Sequence, residues 1–533
     1  MKLALAQINP TVGDLDGNTR KIIDYINKAE KERADIVVFP ELAITGYPPE
    51  DLLLKDQFVM DNLSCFTKIK QASDKIAVYI GFVDKKGKDL FNAAAFIVDC
   101  EVKKLYHKIN LPNYSVFDEK RYFKDGKNYS IVNYKGEKIG LGICEDIWVK
   151  DSPYLEASKA GASIMLNINA SPYHLGKIKE REKILGKLAK KTKAYIVYLN
   201  MVGGQDELVF DGGSMVFGPK GEKVASAIQY KEELLFVDLG QKNKTAPWLD
   251  RSSEIYNALI LGTSDYVKKN DFSDVLIGLS GGIDSALTLV IACDALGKDK
   301  VHPVFMPSQY TANQSYKDAR KLCENLGIEM IEISIKDLFN VYLKELAPHF
   351  KGMVQNIAEE NLQARIRGNY LMALSNKFGW LVLTTGNKSE MSTGYCTLYG
   401  DMSGGFSVLK DISKTLVYEL SNFRNSAWKE KGLIPQSIID RPPTAELKPD
   451  QKDQDTLPPY DILDKIMHSY VEENKCGWEV CKIHGIDKKI VDKIVKMIDF
   501  SEYKRRQTPP GPRITPRAFG KDWRLPITNR YFR

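Results

Sequence analysis

Three side chains in the first half of the chain have the right chemistry for acyl transfer. Glu41 lies in FPELAITGYPPEDLL, Lys108 in YHKINLPNYSVFDEKRYF and Cys144 in GLGICEDIW, the last directly after an apolar run. A thiol attacks a carbonyl as its thiolate, so it needs a base and a nearby positive charge. Glu41 can take the proton, and Lys108 can hold the charge that develops on the carbonyl oxygen. A carboxamide treated this way would lose ammonia and leave a thioester for water to hydrolyse. Taken singly, each residue has a plainer reading. A cysteine such as Cys144 is more often a small buried hydrophobe, and residues such as Glu41 and Lys108 are more often surface charges. Periodicity alone does not bring the three together.

The second half offers a different kind of chemistry in GLSGGIDS, residues 278–285. Gly281 and Gly282 can take positive φ and let an anion approach the backbone. The helix start that follows offers free N–H groups and the positive end of a dipole. Ser280 and Ser285 add hydroxyl donors. Asp284 would repel phosphate by itself, but a bound Mg²⁺ would reconcile the two, since both suit a hard cation. The turn lacks the lysine of a Walker loop. Its plain alternative is a glycine-rich connection between strand and helix.

These groups need elements to hold them. In the first 240 residues, strands are expected at 3–8, 35–39, 76–82, 93–98, 139–143, 163–168 and 195–202, with helices at 18–32, 50–70 and 176–193. The polar stretch GQKNKTAPWLDRSSEIY interrupts this pattern, and residues 246–256 within it are expected to be a linker between domains at 1–245 and 257–533. Beyond it, a helix at 255–269, a strand at 274–279 running into the glycine turn, a helix at 284–296 and strands at 301–306, 329–333 and 380–384 follow the rhythm of a doubly wound parallel sheet. The charged, Pro-rich stretch 440–460 is expected to be a loop or mobile lid.

Composition narrows the class. At 533 residues the chain exceeds one ordinary core. It has no apolar run long enough to span a membrane and no secretory core at its start, and its eight cysteines are scattered, which suits free thiols in a reducing, cytoplasmic setting. A net charge of +7 is small, and no module that reads nucleic acid is visible. The basic residues near Lys504, Arg505 and Arg506 form either a solvated tail or a grip for a phosphate-bearing ligand. Cys476, Cys481 and His484 lack zinc-knuckle spacing.

The motifs carry a family resemblance. SGGIDS resembles the pyrophosphate loop of the N-type ATP pyrophosphatases. NLQARIRG, TTGNKSE, GYCTLYGD, KDISKTLVYEL, RPPTAEL and SEYKRR, in that order, resemble the signature set of NAD synthetases over nearly all of residues 257–533. This implies an adenine nucleotide alpha hydrolase-like domain. It further implies that Gly278, Leu279, Ser280, Gly281, Gly282, Ile283, Asp284, Ser285 and Thr385 bind ATP, that Asp284 and Glu390 share Mg²⁺, and that Asn361, Glu390 and Lys504 meet deamido-NAD. The segments around Glu41, Lys108 and Cys144 resemble the nitrilase superfamily over roughly residues 1–240, in the glutamine-amidase form fused to NAD synthetases. That implies an αββα sandwich, with Tyr114, Ser171 and Lys177 contacting glutamine. Ser115 departs from the glycine expected after LPNY.

The implied activity hydrolyses glutamine and uses the ammonia, with ATP, to amidate deamido-NAD to NAD⁺, with AMP and pyrophosphate released. Free ammonia in water is mostly ammonium, so the pairing predicts an internal channel. The resemblance also implies homo-oligomers, often octamers, and no nucleic-acid or membrane partner. Two alternatives compete. Other glutamine-dependent ATP pyrophosphatases use a Cys–His–Glu triad or an N-terminal cysteine, but Lys2 follows Met1 here and no such triad is apparent. A regulatory module with a dead amidase half is opposed by the intact Glu41, Lys108, Cys144 and Asp284.

Overall fold

Strands such as KLALAQ (Lys2–Gln7) and IMLNIN (Ile164–Asn169) are buried along almost their whole length, so they read as continuous apolar runs covered on both faces. The computed structural model describes residues 1–427, 430–444, 446–448 and 451–531. The chain forms two units, Met1–Arg251 and Ser252–Arg533.

The first unit holds two six-stranded sheets. One runs in the order Glu233–Asp238, Lys2–Gln7, Ile36–Val38, Ala77–Lys86, Asp89–Val98, Glu101–His107. The other runs Lys223–Ser226, Met215–Phe217, Tyr195–Asn200, Ile164–Asn169, Glu137–Ile143, Ser130–Tyr134. Side chains from both sheets, among them Leu5, Val38, Phe96, Ile143, Leu166 and Leu199, share one core. Helices Leu15–Lys31 and Asp56–Gln71 cover the outer face of the first sheet through Ile22, Ile26, Cys65 and Ile69. Helix Lys177–Thr192 covers the second through Ile178, Leu185 and Ala189. This is the expected αββα sandwich.

Asp14 starts the first helix by accepting a hydrogen bond from the Gly17 amide, an ordinary N-cap. The helix expected over 50–70 is broken at Lys55, with a 3₁₀ turn at Glu50–Leu54 before helix Asp56–Gln71. Strand Glu101–His107 escaped the pattern because EVKKLYH is a solvent-facing edge strand whose lysines mask its alternation.

In the second unit, five parallel strands lie in the order Ile331–Glu332, Val301–Phe305, Val275–Leu279, Leu381–Thr384, Phe406–Ser407. The chain fills one side of Val275–Leu279 first and then crosses to the other. The carboxyl end of that strand is therefore a topological switch point, where such sheets bind ligands. Helix Ile283–Leu296 follows it and is buried over most of its length. Helix Ile357–Phe378 covers the opposite face through Ile366 and Leu371. Phe406–Ser407 is too short for pattern recognition.

Helix Arg251–Lys269 begins inside the stretch read as a linker, while Ala246 is still tied to the first unit by its amide bond to the Ser226 carbonyl. Among the described residues, no helix is long and apolar enough to cross a membrane.

Candidate active sites

Glu41, Lys108 and Cys144 come from three separate segments. Glu41 follows strand Ile36–Val38, Lys108 follows Glu101–His107, and Cys144 opens a 3₁₀ turn after Glu137–Ile143. Glu41 and Lys108 are wholly buried, and the ammonium donates to Glu41 Oε1 at 2.6 Å. Asn92 also donates to that oxygen, at 2.7 Å, and the Ala170 amide donates to Oε2 at 2.9 Å. The carboxylate is thus fixed in orientation.

A fourth group, absent from the sequence reading, completes the cluster. Glu119 accepts from Lys108 at 2.8 and 2.9 Å and from the Tyr47 hydroxyl at 2.9 Å. Burial, opposed by Lys108 and reinforced by Glu41, pushes the Glu119 carboxyl up to about 7. Burial alone would lower the Lys108 ammonium, but Glu119 and Glu41 hold it well above its ordinary value, so it stays charged. Burial pushes the Cys144 thiol well up; Glu41 adds to this and Lys108 opposes it. The resting sulfur is therefore a thiol, and it must lose its proton as it attacks. Cys144 is held at a φ of 38°, a strained backbone at the foot of the site. His107 faces away from the cluster and pairs with Asp84 at 2.7 Å.

The residues expected to contact glutamine have these surroundings. The half-exposed Tyr114 donates to Glu145, the neighbour of Cys144, at 2.9 Å. Ser171 is buried and is held by Arg181, whose guanidinium reaches the Ser171 carbonyl at 2.9 Å while also gripping Asp211 at 2.7 Å. Lys177 starts its helix, pairs with Glu180 at 3.0 Å and lies 3.9 Å over the Trp148 ring. Ser115 has a φ of 55°, which explains why glycine suits the position. Ser115→Gly should relieve about 1–2 kcal/mol of left-handed strain against about 0.5–1 kcal/mol of added chain entropy. The net gain of about 0.5 kcal/mol would appear as a raised denaturant midpoint at unchanged slope.

The second unit contains a cavity of about 290 Å³ at the switch point, lined by the whole turn Gly278–Ser285 together with Thr385, Glu390 and Lys414. Gly281 has a φ of 82°, and a Cβ there would sit 2.4 Å from the Ser315 carbonyl oxygen, so only glycine fits. Gly282 has a φ of −91°, against the expectation of a positive value at both glycines. Its missing side chain instead keeps the helix start open, since it is exposed on the cavity wall. Ser280 and Ser285 close the turn on itself, with hydroxyls 3.0 Å apart.

Asp284 accepts from Lys414 at 2.5 Å and from Asn387 at 2.8 Å. Lys414 also reaches Glu390 at 3.3 Å, so one ammonium spans both carboxylates. Burial raises the Glu390 carboxyl to about 8, Lys414 opposes this and Asp284 adds to it. Lys414 lies in KDISKTLVYEL, and nothing in that sequence marks it as the partner of Asp284. Among the described residues no cluster of three or more His, Cys, Asp or Glu could hold a metal ion. Mg²⁺ does not need one, because it commonly takes one or two carboxylates and completes its shell with phosphate oxygens and water. The pair Asp284 and Glu390 beside the glycine turn fits that donor set.

Asn361 and Lys504 flank this cavity without lining it. Asn361 accepts from Thr397 at 2.9 Å, and Lys504 donates to the carbonyls of Gly394 and Cys396 at 2.6 and 2.7 Å. The stretch 440–460 forms a wall, since Arg441, Pro442, Pro443, Thr444, Glu446, Leu447 and Asp453 all face the cavity. Glu446 anchors it by accepting from Ser315 and Arg441. Ala445, Pro449 and Asp450 of this stretch lie outside the described residues.

Fold and site together define a carbon–nitrogen hydrolase unit followed by a nucleotide-binding synthetase unit. Residues 2–246 match the carbon-nitrogen hydrolase family and residues 255–508 the NAD synthase family. A glutamine-dependent NAD(+) synthetase of Thermotoga maritima is 47% identical over 100% of this chain and 99% of its own. Another, from Acinetobacter baylyi, is 47% identical over 99% of this chain and 98% of its own. The solved structure of the Acinetobacter baumannii glutamine-dependent NAD+ synthetase in complex with ADP is 44% identical, covers 99% of this chain and 98% of its own, and superposes with a TM-score of 0.81. The chain belongs to the glutamine-dependent NAD(+) synthetase family.

Proposed function

We propose that this chain hydrolyses glutamine at Cys144 and uses the ammonia to amidate deamido-NAD in the second unit. The reading is carried by one pairing on a single chain: a buried Glu41–Lys108 pair acting on the Cys144 thiol, and a glycine turn with two carboxylates at a switch-point cavity.

In the first unit, Glu41 takes the Cys144 proton as sulfur attacks the side-chain carbonyl carbon of glutamine. Lys108, held charged by Glu41 and Glu119, balances the oxyanion. The tetrahedral intermediate collapses, Glu41 returns the proton to the leaving nitrogen, and ammonia departs. Water, deprotonated by Glu41, then cleaves the thioester to glutamate. Glu145 and Lys177 suit the two ends of an amino acid: the carboxylate meets the α-ammonium, with Tyr114 fixing it, and the lysine meets the α-carboxylate, with Ser171 beside them. Glu145→Gln should therefore raise KM for glutamine by about tenfold, the value of one charge-assisted contact of about 1.5 kcal/mol. Initial rates against glutamine concentration check this.

In the second unit, the turn 278–285 and Thr385 cradle ATP. A carboxylate oxygen of deamido-NAD attacks the α-phosphorus and pyrophosphate leaves. Ammonia then attacks the acyl carbon and AMP leaves. Asn361, Glu390 and Lys504 position the dinucleotide. Mg²⁺, when held by Asp284 and Glu390, supplies charge neutralisation for the phosphates. The protein given ATP, deamido-NAD, Mg²⁺ and glutamine should form NAD⁺, AMP, pyrophosphate and glutamate in equal amounts. Absence of NAD⁺ with either glutamine or ammonium as nitrogen source would end this reading.

A further inference from the structure

The strained turn at Cys144 and the segment carrying Lys108 are pinned to each other by a single buried carboxylate. Asp146 is wholly buried and accepts four hydrogen bonds. Oδ1 takes the Asn110 amide at 2.9 Å and the Asn110 side-chain amide at 3.0 Å. Oδ2 takes the Tyr106 hydroxyl at 2.8 Å and the Ile143 amide at 3.1 Å. Tyr106 and Asn110 bracket Lys108, while Ile143 and Asp146 bracket Cys144. Ser152 closes the far side by donating to the Asp146 carbonyl at 2.6 Å.

We propose that Asp146 is a positioning residue of the glutamine-hydrolysing site, setting the Cys144 sulfur against the Lys108 ammonium and Glu41. The proposal rests on Cys144 being the nucleophile. Two observations favour positioning over mere packing. The backbone of Cys144 sits at a φ of 38°, a conformation that relaxes unless neighbours hold it. All four donors to Asp146 come from the two segments that carry catalytic groups, so the carboxylate links the positions of nucleophile and oxyanion partner directly. Burial raises the Asp146 carboxyl above its ordinary range, and the four donors pull the other way. An amide at 146 keeps the shape but turns an N–H₂ toward donors, leaving one oxygen to serve a pair of them.

The test uses the full chain and two variants, Asp146→Asn and Tyr106→Phe, with Cys144→Ala measured in parallel. Each is assayed with glutamine and with ammonium, and the rate of Cys144 alkylation by iodoacetamide is followed. Asp146→Asn should lower kcat with glutamine by about 10²-fold, the effect of displacing a reacting group by about 1 Å. KM for glutamine and ammonium-driven synthesis should stay within about twofold, and the alkylation rate should change with kcat. Tyr106→Phe removes one donor without creating a conflict and should give a smaller kcat loss of the same kind. If Asp146→Asn fails to fold, as seen by loss of ammonium-driven synthesis, Tyr106→Phe decides. Full glutamine kcat in the deciding variant, or a change in KM alone, overturns the proposal. Glutamine-driven turnover surviving in Cys144→Ala instead overturns the choice of nucleophile.

Discussion

Cys144→Ala is expected to lower glutamine-driven amidation by at least about 10³-fold and to leave ammonium-driven amidation within about twofold of the parent protein. The effect is large because the alanine variant has no atom that can form the thioester, and Glu41 alone has no nucleophile to activate. The ammonium route should survive because the change is small in structural terms. Cys144 is buried in the core between the two sheets, and removing one sulfur there costs about 1 kcal/mol. Lys108 keeps both of its carboxylate partners, at 2.6 and 2.8 Å, so no buried charge is stranded. The measurement is paired initial rates of NAD⁺ formation with each nitrogen source, alongside glutamate release. Collapse of the ammonium route in a folded variant would show that the two halves do not divide the work as proposed. Persistence of glutamate release would remove Cys144 from the chemistry.

The parts legible in the sequence were those with local signals. Apolar runs located most of the strands that carry site residues, and the strand–glycine turn–helix pattern placed GLSGGIDS at the end of Val275–Leu279, where the cavity lies. Glu41, Lys108 and Cys144 could be named from residue type and motif, but their meeting could not. Glu41 and Lys108 are 67 residues apart in sequence, Asn92 and Glu41 are 51 apart, and Lys414 and Asp284 are 130 apart. Each contact depends on which strands pair, and alternation along one strand carries no record of that. Glu119 shows the limit well. It lies in LPNYSVFDEKRYF beside three other charged residues, and only the fold reveals that its carboxylate is buried against Lys108. The glycine turn shows another. Both glycines look alike in sequence, yet Gly281 is required by φ and by the approach of Ser315, whereas Gly282 serves only to leave space. Even the edge strand Glu101–His107, which delivers Lys108, was hidden by the charges that keep its free edge from pairing.

Asp284→Asn should abolish both routes, lowering amidation by about 10³-fold with glutamine or ammonium, and should leave the fold intact. The substitution keeps the side-chain shape at the start of helix Ile283–Leu296. It removes one of the two carboxylates that Lys414 now spans, at 2.5 Å to Asp284 and 3.3 Å to Glu390. Burial would lower the Lys414 ammonium, and Asp284 and Glu390 hold it above its ordinary range; in the variant Glu390 remains as its acidic neighbour. The lost group is one of the two anchors proposed for Mg²⁺ at the phosphates. Loss of about 4 kcal/mol of charge stabilisation in the transition state corresponds to about 10³-fold in rate. A titration with Mg²⁺ separates the causes. If Asp284 holds the metal, the variant needs a much higher Mg²⁺ concentration for half-maximal ATP binding, followed by calorimetry independently of turnover. If it merely orders the turn, ATP binding weakens equally at every Mg²⁺ concentration. Unimpaired synthesis would remove Asp284 from the site altogether. Glutamate release, proposed above to be the work of the Cys144 cluster, is measured alongside to follow the first unit in the same variant.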